Sequence, residues 1–200
     1  MSRWRCPLNL TAKRWAIVGP QGCGKTVLAH FLARRFASAF VIDPLDEYGD
    51  LPEGTHSHYT PRNLHYSDDS NAEINRVVGK YITNGPYVRK VDLWLVDEAN
   101  RYFPHAKPLP SRVGWLNDTI RHTGMSWGIV ARRLVQLNVD LIELAHVLFL
   151  FRMTGKNDLA YADELSQGLG DIIKTLPPYH FVSRDPQGNI QVHSPTPLTE

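Results

Sequence analysis

The stretch GPQGCGKT, residues 19–26, decides the fold of this chain. It fits the pattern G-x-x-x-x-G-K-[ST] in full. The apolar segment RWAIVG (residues 14–19) precedes it and is typical of a short buried strand. The segment TVLAHFLARRFASAF (residues 26–40) follows it, with apolar residues at helical spacing. A glycine-rich loop between a strand and a helix predicts a phosphate-binding loop, because this context gives the pattern its structural meaning.

The residue types in this loop suit a nucleoside triphosphate. Its glycines let the backbone turn its N–H groups toward phosphate oxygens, and the following helix adds its N-terminal dipole. We expect Lys25 to reach the β- and γ-phosphates and the Thr26 hydroxyl to ligate Mg²⁺. The sequence therefore predicts ATP and Mg²⁺ as cofactors. The residues predicted to contact the nucleotide are Gly19, Pro20, Gln21, Gly22, Cys23, Gly24, Lys25, Thr26 and Val27.

A second motif, LWLVDEA at residues 93–99, places two acids at the end of an apolar strand. The carboxyl ends of parallel strands are where ligands bind in open α/β sheets. We expect Asp97 to hold the Mg²⁺ shell and Glu98 to orient and deprotonate a water that attacks the γ-phosphate. A kinase for a small substrate has no need of a water-activating Glu here, so the pair favours an ATPase.

Predicted strands alternate with predicted helices along the chain. This pattern predicts an α/β fold, with a mostly parallel sheet covered by helices on both faces. A hairpin in YHFVSRDPQGNIQVH (residues 179–193) is expected at one edge of the sheet. Residues 44–75 are rich in polar residues, Pro and Gly and are expected to be mostly loop. The other predicted strands are at residues 40–43, 91–99, 127–131 and 147–152, and the other helices at 74–85, 112–124, 139–146 and 157–170.

Composition sets the remaining bounds. A chain of 200 residues fits one domain, here residues 1–200, with a sizeable core. The net charge of +2 means that any nucleic acid would be bound by local basic patches. Of the two cysteines, Cys6 and Cys23, the second lies in the glycine loop, where a disulfide would obstruct the ligand, which favours a reducing compartment. The N-terminus lacks a signal-peptide core, and the longest apolar run, VLFLF, is too short to span a bilayer.

Several blocks together resemble the HerA/FtsK superfamily of DNA-pumping ATPases, which have a RecA-like P-loop fold. These blocks are FVIDPLDEYGDL, VDEANRYFP, IRHTGMSWGIVARR, LFLFRMTGKNDL and LPPYHFV, and the resemblance covers about residues 14–183. The chain looks most similar to the compact genome-packaging ATPases of membrane-containing icosahedral viruses. The resemblance implies a ring, expected to be a hexamer, that pumps double-stranded DNA independently of its sequence. It also implies a capsid-vertex or viral membrane protein as partner, and a location at the packaging vertex of the virion or in the host cytoplasm during assembly.

The resemblance carries over residue by residue. Arg121, in the segment IRHTG, matches an Arg that members of this superfamily use as a finger across the subunit interface. A guanidinium suits that role because it spreads over two phosphate oxygens. Arg132 stands where cellular members place a polar sensor, usually Gln, so the sensor and finger roles stay open among Arg121, Arg132 and Arg133. Asp43 matches an acid near the site. The residues that match the catalytic and metal positions are Lys25, Thr26, Asp97, Glu98, Arg121 and Arg132.

Three further interpretations remain open at this stage. A phage morphogenesis ATPase related to zonula occludens toxin shares the RH-x-G block, and a P-loop kinase for a small substrate shares the glycine loop. The pair His56 and His58 resembles metal ligands but lacks a third ligand at zinc-like spacing.

DNA contacts are expected among the basic residues of two segments: Arg101, Lys107 and Arg112 in one, and Arg62, Lys80, Arg89 and Lys90 in the other.

Overall fold

The computed structural model describes residues 9–85 and 88–196. Ten strands lie within these ranges: β1 (Arg14–Val18), β2 (Ala39–Ile42), β3 (His56–Tyr59), β4 (Thr83–Gly85), β5 (Val88–Arg89), β6 (Leu93–Val96), β7 (Ser126–Ala131), β8 (Val147–Phe151), β9 (Phe181–Arg184) and β10 (Ile190–His193). The α-helices are α1 (Lys25–Ala33), α2 (Asp68–Val77), α3 (Ser111–Thr123), α4 (Val139–Glu143), α5 (Lys156–Leu165) and α6 (Leu169–Thr175). Cys6 and the termini of the predicted domain lie outside the described residues, so the single-domain expectation stays a prediction.

Eight strands form one sheet in the order β10-β9-β8-β1-β7-β6-β2-β3. The six strands from β8 to β3 are parallel, whereas β9 and β10 form an antiparallel hairpin at the edge. The mostly parallel sheet and its C-terminal edge hairpin are therefore confirmed. Because β1 lies between β8 and β7, the loop that follows it opens at the middle of the carboxyl edge of the sheet.

The core is divided by the sheet into two layers. Alternate residues of β1 point to opposite faces: Trp15 and Ile17 pack in one cluster, and Ala16 and Val18 in the other. The first face is covered by α1, and the second by α2, α3, α4, α5 and α6. Helices on both faces explain why the strands read as continuous apolar runs. None of the helices in the described ranges combines the length and the apolar character needed to cross a membrane.

Two predictions for the first half of the chain were wrong in part. The helix predicted over residues 26–40 ends at Ala33, because β2 starts at Ala39 and needs an extended backbone to pair with both β3 and β6. The loop predicted over residues 44–75 contains β3 and most of α2. β3 is a polar edge strand with one partner, and α2 begins at a capping box in which Ser70 occupies the usual Glu or Gln position.

Two other helices also differ from expectation. The helix predicted over residues 74–85 starts earlier, as α2, and continues as one π-helical segment, Val78–Ile82, before β4. The helix predicted over residues 157–170 is two helices, α5 and α6. Gly168 separates them at a φ of 80°, and the Asp163 carboxylate accepts a hydrogen bond from the Gly170 N–H at 2.8 Å. A left-handed glycine interrupts the helical path that the apolar spacing alone had suggested.

Candidate nucleotide site

The glycine loop joins β1 to α1 in the form that a phosphate-binding loop requires. Gly22 and Gly24 have φ angles of 74° and 102°, a region that side chains with a Cβ rarely adopt. The Lys25 ammonium is largely buried and donates a hydrogen bond to the carbonyl oxygen of Pro20 at 2.8 Å. This bond folds the side chain back over the loop, at the wall of the cavity described below.

Gly19 is required for a different reason, which is close packing. A Cβ at this position would lie 2.6 Å from the Phe151 Cβ and 2.8 Å from the Cys23 sulfur, both shorter than van der Waals contact. The Gly19 N–H donates to the carbonyl of Ala131 on β7, which ties the loop to a neighbouring strand. Cys23 is a free thiol, and burial raises its pKa, so it contributes as a packed side chain of the loop.

Asp97 follows β6 and is nearly fully buried at 4% exposure. One carboxylate oxygen accepts the Glu98 N–H at 2.6 Å and the other accepts the Tyr48 hydroxyl at 3.1 Å. Burial outweighs these bonds and raises the pKa of Asp97 to about 6. Among the described residues, no ion pair joins Asp97 to a cationic side chain. A divalent cation would supply the missing positive charge, so the site fits Mg²⁺ in its donor chemistry.

Glu98 has a backbone conformation that is uncommon for a non-glycine residue, with φ 48° and ψ 37°. Its carboxylate accepts a hydrogen bond from the Arg132 Nε at 2.9 Å. The Arg101 Nε lies 3.6 Å from the same carboxylate. The left-handed turn after β6 thus aims Glu98 away from the strand direction and into the space between the loop and β7.

One cavity of about 670 Å³ joins these groups. The structure brings five of the six residues predicted to be catalytic or metal-binding to it together: Lys25, Thr26, Asp97, Glu98 and Arg132. Gln21, Gly22, Gly24 and Val27 also line it, while Gly19, Pro20 and Cys23 lie outside the lining and shape the loop. The wall is completed by residues that no sequence motif indicates, which are Leu45, Glu47, Phe151, Tyr179, Pro195 and Thr196.

Arg121 lies at the opposite end of the sheet. It is an exposed residue near the C-terminus of α3, and its Nε lies 3.3 Å from the His122 Nε2. It interacts electrostatically with Arg14, the first residue of β1, whereas the glycine loop follows the last residue of β1. The five residues of that strand span roughly 16 Å, which separates Arg121 from the cavity of its own chain.

The neighbouring arginines have different surroundings. The Arg133 Nε donates to the buried Asp158 carboxylate at 2.8 Å, and the Val135 N–H donates to the other oxygen at 3.3 Å. This arrangement ties the end of β7 to α5, so Arg133 holds the scaffold in place. Arg152, which follows β8, is exposed. Of the three arginines whose roles were open, Arg132 alone lines the nucleotide cavity.

Asp43 supports the site from behind. Its two carboxylate oxygens accept the N–H groups of Glu47 and Tyr48 at 3.0 and 2.9 Å, which shapes the turn that carries both residues to the cavity region. Asp43, Asp46 and His58 could together offer three metal ligands. The two hydrogen bonds to Asp43 and a 3.2 Å contact between the His58 Nε2 and the Asp46 carboxylate give all three side chains polar partners without an ion. His56 contacts the Ala33 carbonyl instead.

The basic residues proposed as DNA contacts fall into two groups. Arg89 donates to the Gly124 carbonyl and pairs with Asp92, while Lys90 donates to the carbonyls of Gly79 and Lys80. Arg101 lies beside the Glu98 carboxylate. Lys80 is exposed, and its Nζ lies 4.7 Å from the centroid of the Tyr81 ring. Arg62, Lys107 and Arg112 are exposed and have neither an ion pair nor a ring contact among the described residues.

Comparison with known proteins agrees with this architecture. No family model matches the chain, and no curated protein matches it. The structure of B204, the DNA-packaging ATPase of Sulfolobus turreted icosahedral virus, superposes with a TM-score of 0.76 at 17% identity, covering 94% of this chain and 99% of that one. The fold is that of a RecA-like P-loop NTPase. At such low identity the likeness shows the fold, which confirms the expected fold class.

Two further structures extend the comparison. The genome-packaging NTPase B204 of Sulfolobus turreted icosahedral virus 2, solved with ATP-gammaS, has a TM-score of 0.73 at 18% identity, covering 92% of this chain and 98% of that one. The N-terminal domain of zonular occludens toxin from Neisseria meningitidis has a TM-score of 0.54 at 14% identity, with 92% and 94% covered. Both types of protein that the sequence resembled are therefore structural neighbours.

Proposed function

We propose that this protein is an ATPase that drives double-stranded DNA into a viral capsid. One observation carries the proposal: Lys25, Thr26, Asp97, Glu98 and Arg132, from three separate segments of the chain, line a single cavity at the carboxyl edge of the sheet. The near end-to-end likeness to genome-packaging NTPases, over 92–94% of this chain, adds the DNA-packaging role.

The cavity residues divide the work of phosphoryl transfer. Mg²⁺, when bound, would supply charge neutralisation for the phosphates. Thr26 and Asp97 would hold that ion. Ionised Asp97 would gain from it, because among the described residues its buried carboxylate forms no ion pair with a cationic side chain. Lys25 would leave the Pro20 carbonyl for the phosphates, exchanging a neutral acceptor for a charged one.

Glu98 and Arg132 form the hydrolytic pair. In this structure the Arg132 Nε holds the Glu98 carboxylate at 2.9 Å. The γ-phosphate competes for Arg132, because a guanidinium binds phosphate oxygens in a bidentate manner. Glu98 then accepts the proton of the attacking water, while Arg132 stabilises the charge that develops on the phosphate. In this scheme Arg132 responds to the nucleotide and Glu98 is the general base.

Arg121 acts in the active site of a neighbouring subunit in a ring, which we propose to be a hexamer. Its exposed position at the far end of the sheet supports a role outside its own cavity. Arg121→Ala and Glu98→Gln each abolish turnover in this scheme. Mixing the two variants restores part of it, because about a quarter of the interfaces then carry both intact residues. A mixture that stays inactive, although both variants assemble, would refute the shared site.

DNA is held through its phosphates, without reading bases, since a packaging motor accepts every sequence. The exposed Arg62, Lys107 and Arg112 are the residues we assign to that contact. Packaging also implies a partner at the capsid vertex, either a capsid protein or a viral membrane protein. It places the motor at the packaging vertex of the virion, or in the host cytoplasm during assembly.

The decisive experiment measures phosphate release from ATP with and without linear double-stranded DNA, together with the particle mass. We expect DNA-stimulated turnover from a ring-sized particle. Glu98→Gln removes the base and lowers turnover by about 100- to 10,000-fold. Glu53→Gln, the same change at an exposed surface residue, leaves it unchanged. If the protein is a monomer and its turnover is the same with and without DNA, translocation is refuted. A phosphorylated small product would indicate a kinase instead.

A further inference from the structure

The nucleotide cavity extends past the glycine loop on the side away from the catalytic carboxylates. The loop follows the central strand β1. On one side, β7 and β6 lead into Arg132 and Asp97, so the γ-phosphate end of a ligand lies there. The rest of the nucleotide must then extend toward β8, β9 and β10. The cavity residues on that side are Phe151, Tyr179, Pro195 and Thr196.

These four residues are brought together by the edge hairpin. In the sheet, Phe151 at the end of β8 is the partner of Phe181 at the start of β9, and Phe181 is the partner of His193 at the end of β10. The rings form a continuous row, with centroids 5.1 Å apart for Phe151 and Phe181 and 4.9 Å apart for Phe181 and His193. This aromatic row supports the chain just before β9 and just after β10, where Tyr179 and Pro195 line the cavity.

Tyr179 has two features that packing alone does not explain. Its side chain is 58% exposed although it is a large aromatic residue, and its backbone has a φ of 62°, a strained conformation for tyrosine. The ring lies beside the phosphate loop: a Cβ built on Gly24 would be 3.7 Å from the Tyr179 Cδ1 and 3.5 Å from the Phe151 Cε1. Strain that keeps an aromatic face open toward a ligand cavity indicates a binding role.

Thr196 gives a second, independent observation. It lines the same cavity, and its hydroxyl oxygen is buried from solvent. Within the part of the chain that the structure describes, that hydroxyl has no hydrogen-bond partner. A buried hydroxyl without a partner is costly, and a ligand that bonds to it removes the cost. The hydroxyl can donate or accept, so it suits the ring nitrogens and exocyclic groups at the edge of a base.

We propose that these four cavity residues, which we call the hairpin wall, form the nucleobase subsite of this protein. Tyr179 stacks on the purine ring, and the Thr196 hydroxyl bonds to the edge of that ring. The subsite deepens the proposed function, on which it rests, by assigning recognition of the base to the edge hairpin and recognition of the phosphates to the glycine loop. It also gives the segment after β10 a role in ligand binding.

The test compares two ligands that share the phosphates and differ in the base. Isothermal titration calorimetry with Mg²⁺ measures the Kd of ATP and of inorganic tripolyphosphate. Tyr179→Asn removes the ring and tolerates the left-handed backbone. We expect this change to weaken ATP binding by about 5- to 100-fold, the range that base–aromatic stacking supports. The Kd of tripolyphosphate stays unchanged, and Tyr179→Phe, which keeps the ring, binds ATP like wild type.

Thr196→Val keeps the side-chain shape and removes the hydroxyl. It weakens ATP binding by roughly 3- to 10-fold and leaves tripolyphosphate binding unchanged. If Tyr179→Asn weakens both ligands equally or neither of them, the subsite is refuted while nucleotide binding stands. If wild type binds neither ligand, the nucleotide-binding function fails and the subsite fails with it. Should Tyr179→Asn fold poorly, Thr196→Val and the ratio of the two wild-type Kd values decide the matter.

Discussion

Asp97→Asn should make the nucleotide-free protein more stable. The Asp97 pKa rises from 3.8 to about 6 on folding, chiefly through burial. At about 1.36 kcal/mol per tenfold change, that rise corresponds to a cost of about 3 kcal/mol for the ionised folded form. Asn carries no charge and avoids this cost. It also keeps the hydrogen bonds, because its amide oxygen can accept the Glu98 N–H and its amide nitrogen can donate to the Tyr48 oxygen.

The size of the effect depends on pH. Below about pH 4 the Asp97 carboxyl is protonated in both the folded and the unfolded chain, so wild type and Asp97→Asn are equally stable. As pH rises through about 6 the wild type loses this stability, since the folded state holds its proton longer than the unfolded state does. The advantage of Asp97→Asn therefore grows between pH 4 and pH 6 and levels off at about 3 kcal/mol above pH 7.

Urea denaturation between pH 4 and pH 8, without nucleotide or Mg²⁺, measures this difference. Asp158→Asn is the matched control, because Asp158 is equally buried but accepts a charged hydrogen bond from Arg133 at 2.8 Å. That change lowers stability by about 1.5–3 kcal/mol, the opposite sign. If Asp97→Asn destabilises the protein at pH 8, or if its effect is the same at every pH, the reasoning is refuted. Mg²⁺-dependent ATP binding should be lost in the same variant, a trade of function for stability.

Two further changes test the loop and the arginines. Gly19→Ala places a Cβ 2.6 Å from the Phe151 Cβ, so we expect a loss of about 1–3 kcal/mol in thermal unfolding and weaker ATP binding by calorimetry. Gly49→Ala, whose new Cβ meets nothing within 4 Å, should match wild type, and equal behaviour of the two variants would contradict the packing argument. Arg132→Ala should lower kcat by about 100-fold or more in a steady-state assay. Arg133→Ala should mainly lower the unfolding temperature. If Arg133→Ala lowers kcat and Arg132→Ala lowers only the unfolding temperature, the catalytic role belongs to Arg133 and the structural role to Arg132.

Sequence patterns were most informative where local chemistry sets the structure. The glycine loop, the strand β6 that leads into Asp97 and the helix α3 that Gly124 caps all lie close to where the residues predicted them, because each depends on near neighbours in the chain. β3 was missed because its polar residues, HSHY, form a strand only by pairing with β2. The predicted start of α2, at residue 74, lies after the observed start at Asp68. The first turn of this helix is polar and is defined by a cap at Ser67, so apolar spacing does not mark it.

The sequence by itself determined the fold class, and it predicted the glycine loop and a site that joins Lys25, Thr26, Asp97 and Glu98, because these follow from residue types at fixed short spacings. Only the tertiary structure decided which arginine shares the cavity with Glu98, since Arg132 and Arg133 are adjacent in sequence and point to different partners. It alone also joined Phe151, Tyr179 and Thr196 into one wall. Their contact depends on the pairing of β8, β9 and β10, and a strand register is a property of the folded sheet that no local pattern encodes.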